Sequence, residues 1–118
     1  MVQNQMAKQP HKVEFHADCF WDGKSGGEVK LSSGHTLNID TPKEYGGESK
    51  HPCPDELLFS AIGGCLITTF LYMHKKIDFN LRSLQVSVTG NVESIGTEGF
   101  RIIRVGANIN VETDREGK

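Results

Sequence analysis

Residues 51–76 read HPCPDELLFSAIGGCLITTFLYMHKK, and the fold turns on whether this stretch is a helix. Pro54 has a preset φ and no N–H to leave unsatisfied, and Asp55 and Glu56 complement the positive end of a helix dipole, so together they mark a start. Apolar or small residues recur at steps of three and four from Leu57 through Ala61, Cys65 and Thr69 to Met73, and Lys75-Lys76 place positive charge near the expected end. The spacing predicts a helix over residues 54–76, on the order of 34 Å long. Residues 57–73 are uncharged, roughly the minimum for a bilayer span. Two glycines, a serine and two threonines dilute the run and polar segments flank it, so a soluble core helix is the expectation and no membrane is expected as a partner.

Outward from the helix the pattern changes to alternation. On the N-terminal side Val13, Phe15, Ala17, Cys19 and Trp21 share one face of an expected strand starting near Lys12, and turn residues 22–27 follow. Two short strands come next, one with Val29 and Leu31, the other with Leu37 and Ile39, the latter ending at Thr41-Pro42. A Gly-rich loop over residues 45–50 leads to the helix. On the C-terminal side Leu84, Val86 and Val88 alternate with polar residues up to about Val92, residues 96–99 turn the chain, and Ile103, Val105, Ala107, Ile109 and Val111 share a face of a fifth strand. The fold class is α+β with the order βββ-α-ββ: one domain over residues 1–118, with a loose polar leader at 1–10.

Five strands of one small sheet can shield only one side of a helix that is apolar nearly all round. A second copy of the chain, meeting the first through an isologous helix contact, is the simplest cover for the other side. Gly63-Gly64 sharpen the point, because two glycines in a helix interior cost about 2 kcal/mol relative to alanine. They permit either close packing of the helix on a strand or close approach of another backbone or small molecule beside Cys65.

Composition limits the function classes. Lys and Arg total 13 against 15 Asp and Glu, a net charge of −2, so the chain lacks the positive excess that draws nucleic acid. Three cysteines are too few, and odd, for a disulfide scaffold, and the first residues carry no apolar signal segment; a reducing cytoplasm is expected. Metal-ligand spacings such as CxxC or HExxH are absent, and His51-Pro52-Cys53 supplies only two of the four ligands zinc needs, so no metal or cofactor is expected. His11, His16, His35 and His74 are read as solvated surface residues. Asp55 and Glu56 admit two roles: compensation of the helix dipole, or contribution to a site across a dimer axis. They precede Cys65 by about ten residues, or about 15 Å along the helix, so neither can reach its own Cys65.

The stretch PDELLFSAIGGC, residues 54–65, resembles the central-helix motif of the OsmC/Ohr family, the osmotically inducible and organic-hydroperoxide-resistance proteins. Proline start, acidic pair, small residues and cysteine match together at one spacing, and the order of strands extends the resemblance from about residue 12 to the end. The resemblance implies an OsmC-like intertwined homodimer with sites at the subunit interface. Cys65 would be the attacking thiol, with Asp55 in the place of the family's interface glutamate and Glu56 its neighbour. It implies a thiol-dependent peroxidase whose sulfur attacks an organic hydroperoxide or hydrogen peroxide, and a dithiol, a lipoyl group in the best-known members, as reductant.

Two departures from the family pattern stand in the sequence. The peroxidase branches place an arginine in the N-terminal region, whereas the first arginine here is Arg82. Lys12, Lys24 or Lys30 can offer a point charge but not the planar fork of a guanidinium. The family's resolving cysteine belongs to a C-terminal helix, and this sequence ends at Lys118, where that helix is expected to begin. Cys53 lies about 18 Å from Cys65 along one chain, so it can act only across a dimer axis, and Cys19 is read as a small core hydrophobe. The alternative function is a non-catalytic OsmC-like protein that binds a small hydrophobic ligand in the crevice beside Gly63-Gly64.

Overall fold

A computed structural model describes residues 12–77 and 80–114; the expected leader and His11 lie outside them. The elements are β1 (Ala17–Trp21), β2 (Gly26–Leu31), β3 (Thr36–Asp40), α1 (Pro54–His74), β4 (Asn80–Ser94) and β5 (Phe100–Asp114), with 3-10 turns at Lys43–Tyr45 and Gly96–Glu98. All strand pairing is antiparallel. The class is α+β in the order βββ-α-ββ.

The expected single sheet is instead two. β1, β2 and β3 pair in that order, and β4 pairs with β5. Each set consists of consecutive strands joined by short turns, which cost little closure entropy, while the 21 residues of α1 separate the two sets in sequence. The chain divides into two compact units, Met1–Cys53 and Pro54–Lys118.

In the first unit the Asp22 carboxylate shapes the β1–β2 turn by accepting from the backbone N–H of Lys24 at 2.7 Å and of Gly26 at 3.3 Å. Cross-strand register lines up Cys19, Val29 and Leu37 in one row and Trp21, Gly27 and Ile39 in the next. β1 begins at Ala17, later than the alternation suggests, because its ladder ends at the Ala17–Leu31 pair. Beyond it Val13 and Phe15 keep the pattern with no partner strand among the described residues, and Phe15 is 80% exposed. Cys19 is exposed rather than a core residue. It sits on an edge strand, whereas its neighbour Val29, in the central strand, is buried.

In the second unit one face of the long ribbon carries Leu84, Val86, Val88 and Gly90 opposite Val111, Ile109, Ala107 and Val105. The other face pairs Gln85 with Asn110 and Ser87 with Asn108. α1 seats on the β4 half of the apolar face. Gly63 is the buried residue of the helix, and a Cβ there would lie 3.2 Å from Val88 Cγ2 and 3.9 Å from Val86 Cγ1. Phe59, one turn earlier, lays its ring against Gly90, where any Cβ would collide with it. The β5 half stays open, with Ile109 50% exposed. α1 ends two residues before the expected 76, its last carbonyls taken by the N–H groups of Lys76 and Ile77 in tighter i→i+3 bonds. By length and composition α1 is also apolar enough to cross a membrane.

Candidate functional site

α1 carries all three residues that the sequence singles out. Pro54 opens the helix and Asp55 and Glu56 occupy its acidic first turn, Asp55 half-buried and Glu56 exposed. Cys65 lies in the same unbroken helix, so about 15 Å separates it from Asp55, and the structure does not bring the carboxylates and the thiol together within one chain.

Cys65 is exposed, where an apolar helix suggests burial. The reason is angular. At about 100° per residue, position 65 points roughly 200° away from position 63, which faces β4. Cys65 therefore shares the outer face with Leu58, Ala61, Thr68 and Tyr72, all exposed and none charged. Thr68 Oγ1 donates to the Cys65 carbonyl at 3.1 Å, and Ser60 Oγ donates to the Glu56 carbonyl at 2.9 Å, so these hydroxyls are turned back onto the helix. Thiolate chemistry calls for a cation or several donors beside the sulfur. Among the described residues none of this chain's own groups hydrogen-bonds or ion-pairs with the Cys65 thiol.

The two glycines divide the roles that the sequence left open between them. Gly63 packs on β4, whereas a Cβ at Gly64 would meet nothing within 4 Å. Between α1 and β4 runs an open groove of about 590 Å³, lined by both glycines and by Glu56, Phe59, Ser60, Ile67, Val86 and Val88. Cys65 does not line it. The crevice and the thiol, expected side by side, lie on different faces of the helix.

The other titratable groups are placed as follows. His16, His35 and His51 are exposed. His74 is half-covered rather than solvated, its ring stacked on Phe70 with centroids 6.5 Å apart, because position 74 continues the sheltered stripe of α1. Among the described residues no group of three His, Cys, Asp or Glu gathers to hold a metal ion, and Cys19, Cys53 and Cys65 are all thiols.

Sequence reading missed Asp40, the buried charged residue of the first unit, 4% exposed at the end of β3. Its Oδ1 accepts from Ser25 Oγ at 2.6 Å and from the Thr41 N–H at 2.8 Å, and its Oδ2 accepts from the Lys50 N–H at 2.9 Å. These donors, the Ser25 hydroxyl foremost, hold the carboxyl below the usual carboxylate range, against a smaller opposing effect of burial. Apart from the adjacent Thr41, the partners are 10 and 15 residues away in sequence, a distance at which no local motif signals contact.

The OsmC-like protein family model matches residues 46–117. The chain belongs to the OsmC-like family. The fold agrees with solved members: an OsmC-like protein of unknown function from Vibrio cholerae superposes with a TM-score of 0.74 at 14% identity, covering 87% of this chain and 77% of that one. An organic hydroperoxide resistance protein OsmC from Legionella pneumophila, described also as a predicted redox protein, gives a TM-score of 0.66 at 20% identity, covering 84% and 71%. An organic hydroperoxide resistance protein from Elizabethkingia anophelis, with thiocyanate bound, gives 0.67 at 20% identity, covering 86% and 73%. At these identities the likeness is one of fold. Among curated proteins no sequence matches the OsmC-like chain.

Proposed function

We propose that this OsmC-like chain is a thiol-dependent peroxide reductase that works as a cytoplasmic homodimer, with Cys65 as its nucleophile. The observation that carries the reading is the placement of Cys65: an accessible sulfur midway along an uncharged helix face, in a chain whose neighbours in fold include two hydroperoxide resistance proteins. The Cys65 thiolate attacks one peroxide oxygen, the O–O bond breaks, and the departing alkoxide takes a proton and leaves as alcohol or, from hydrogen peroxide, as water. The sulfur is left as sulfenic acid. A dithiol of lipoyl type then displaces water to form a mixed disulfide, and its second thiol closes a ring disulfide and returns Cys65 to the thiol. In a twofold arrangement the partner's helix covers the outer face, and Asp55 or Glu56 of one copy approaches Cys65 of the other.

The experiment is hydroperoxide consumption by the reduced protein, with a cyclic dione to trap the sulfenic acid. Consumption of cumene hydroperoxide with adduct formation on Cys65 supports the reading. Absence of both overturns it.

The groove favours a second reading, binding without catalysis: it has an apolar floor, a single carboxylate at Glu56 and no thiol. Cumyl alcohol, which keeps the apolar body of the peroxide and lacks the O–O bond, separates the two. Shifts at the Gly63 and Gly64 amides without peroxide consumption by the native protein select the binding reading.

A further inference from the structure

We propose that Asp40 is the clasp of a strap: one carboxylate holds residues 41–52, the connection from β3 toward α1, in a closed loop that opens as a unit when the clasp is lost.

The contacts are asymmetric in a way that a mere strand end does not need. Oδ1 ties the start of the strap through the Thr41 N–H and ties β3 to the β1–β2 turn through Ser25 Oγ. Oδ2 reaches ten residues ahead to the Lys50 N–H. The Asp40 backbone N–H donates to the Pro52 carbonyl at 3.1 Å, so a single residue gathers both ends of the strap. Within the strap, Ser49 N–H donates to the Thr41 carbonyl at 3.2 Å and Lys43 N–H to Ser49 Oγ at 2.8 Å, which makes its closure cooperative.

The closed form also carries strain. Ser49 has φ 54°, in the left-handed region that side chains other than glycine rarely adopt. Gly47 approaches the Thr41 backbone so closely that a Cβ there would collide with it. A strained residue directly before the clasped Lys50 amide persists only while its surroundings over-determine it, and the Asp40 bond to Lys50 does so together with the two bonds that Ser49 makes to Thr41 and Lys43. Loss of the clasp lets Ser49 relax, and the strap opens rather than loosening in place.

The strap ends one residue before Cys53, a half-buried thiol and therefore a native reporter. The test measures amide hydrogen exchange, together with alkylation of each cysteine resolved by mass spectrometry, in Asp40→Asn and Ser25→Ala. An asparagine that keeps its oxygen on Ser25 and Thr41 turns an NH2 toward the Lys50 N–H, donor against donor. The Lys50 amide is therefore expected to exchange at least tenfold faster, the Ser49 amide with it, and Cys53 to alkylate severalfold faster, while Val29 and Leu37 keep their protection. Ser25→Ala keeps the carboxylate and is expected to show the same pattern at smaller amplitude. Should Asp40→Asn fail to fold, the serine variant decides alone. Unchanged exchange at Lys50 in a folded variant overturns the clasp, and so does a loss of protection spread evenly over β2 and β3, which would make Asp40 general glue for the sheet. None of these readouts involves peroxide, so the inference stands or falls apart from the proposed activity.

Discussion

Asp40 meets three donors within 3 Å of its carboxylate and is nearly sealed from solvent, whereas Cys65 stands exposed on an uncharged helix face with no polar partner for its sulfur among the described residues. The first environment is complete in a single chain. A buried charge is tolerated only when hydrogen-bonded, and folding has supplied every bond from nearby backbone and one serine. The second is incomplete. An apolar helix face carrying a thiol has no reason to stay in water, and it becomes a site only when a second surface brings both cover and charge. The polar cluster of this molecule is thus structural, and its candidate chemistry lies where structure is unfinished.

The strongest way to break that comparison is to remove the sulfur. Cys65→Ser is expected to lower hydroperoxide consumption by roughly a thousandfold or more, since the un-ionised serine hydroxyl is a far poorer nucleophile at neutral pH, while the melting temperature stays close to that of the native protein. Residual activity within tenfold of native would move the chemistry to Cys53 or Cys19. Next in size is a charge on the bare face. Leu58→Glu places a carboxylate on the outer stripe, where the proposed dimer would bury it unpaired at a cost of about 3–5 kcal/mol. Sedimentation is expected to show a shift from dimer toward monomer; a dimer of undiminished strength would mean that this face is not the contact.

Smaller substitutions compare the two faces of α1 directly. Gly90→Ala drives a methyl into the Phe59 ring, and an overpacked site of this kind costs about 1–3 kcal/mol, to be read from chemical denaturation. Gly64→Ala has open space in one chain and gains about 1 kcal/mol of helix propensity. It is therefore expected to stabilise an isolated chain. If another backbone lies against Gly64 in the assembled protein, the same change weakens assembly, so the sign of its effect reports whether that glycine serves a contact.

Much of this is legible in the sequence alone, for particular reasons. Pro54, the acidic pair and the three- and four-residue spacing set α1 to within two residues of its end, and the period-two runs placed all five strands in order. Which face of α1 meets the ribbon was not legible, because a helix apolar nearly all round gives no direction. Gly63 and Gly64 look equivalent in sequence, and only the register of α1 on Val86 and Val88 tells them apart. For the same reason Cys65 was expected beside the crevice and lies on another face. Asp40 was invisible because its partners Ser25 and Lys50 are contacts of the folded chain, not of the sequence neighbourhood.

The smallest expected effect concerns pH, and it is confined to the completed region. Hydrogen bonds hold the folded-state pKa of Asp40 below its unfolded value, so its contribution is fully present above about pH 4 and is lost as pH falls through the depressed folded value. Lys50 behaves oppositely. Its ammonium sits 3.0 Å from Glu48, which raises its pKa, so that contribution is present below about pH 10 and is lost as pH rises through the raised value. Attraction from His51 adds to the lowering at Asp40, and attraction from Asp40 and Asp22 adds to the raising at Lys50. The strap is therefore expected to keep constant protection at Lys50 from about pH 5 to 9, measured after correction for intrinsic exchange. The proposed hydroperoxide consumption is measured over the same window. Opening of the strap in step with that rate would show that the two regions are coupled; a flat strap beneath a changing rate keeps them separate.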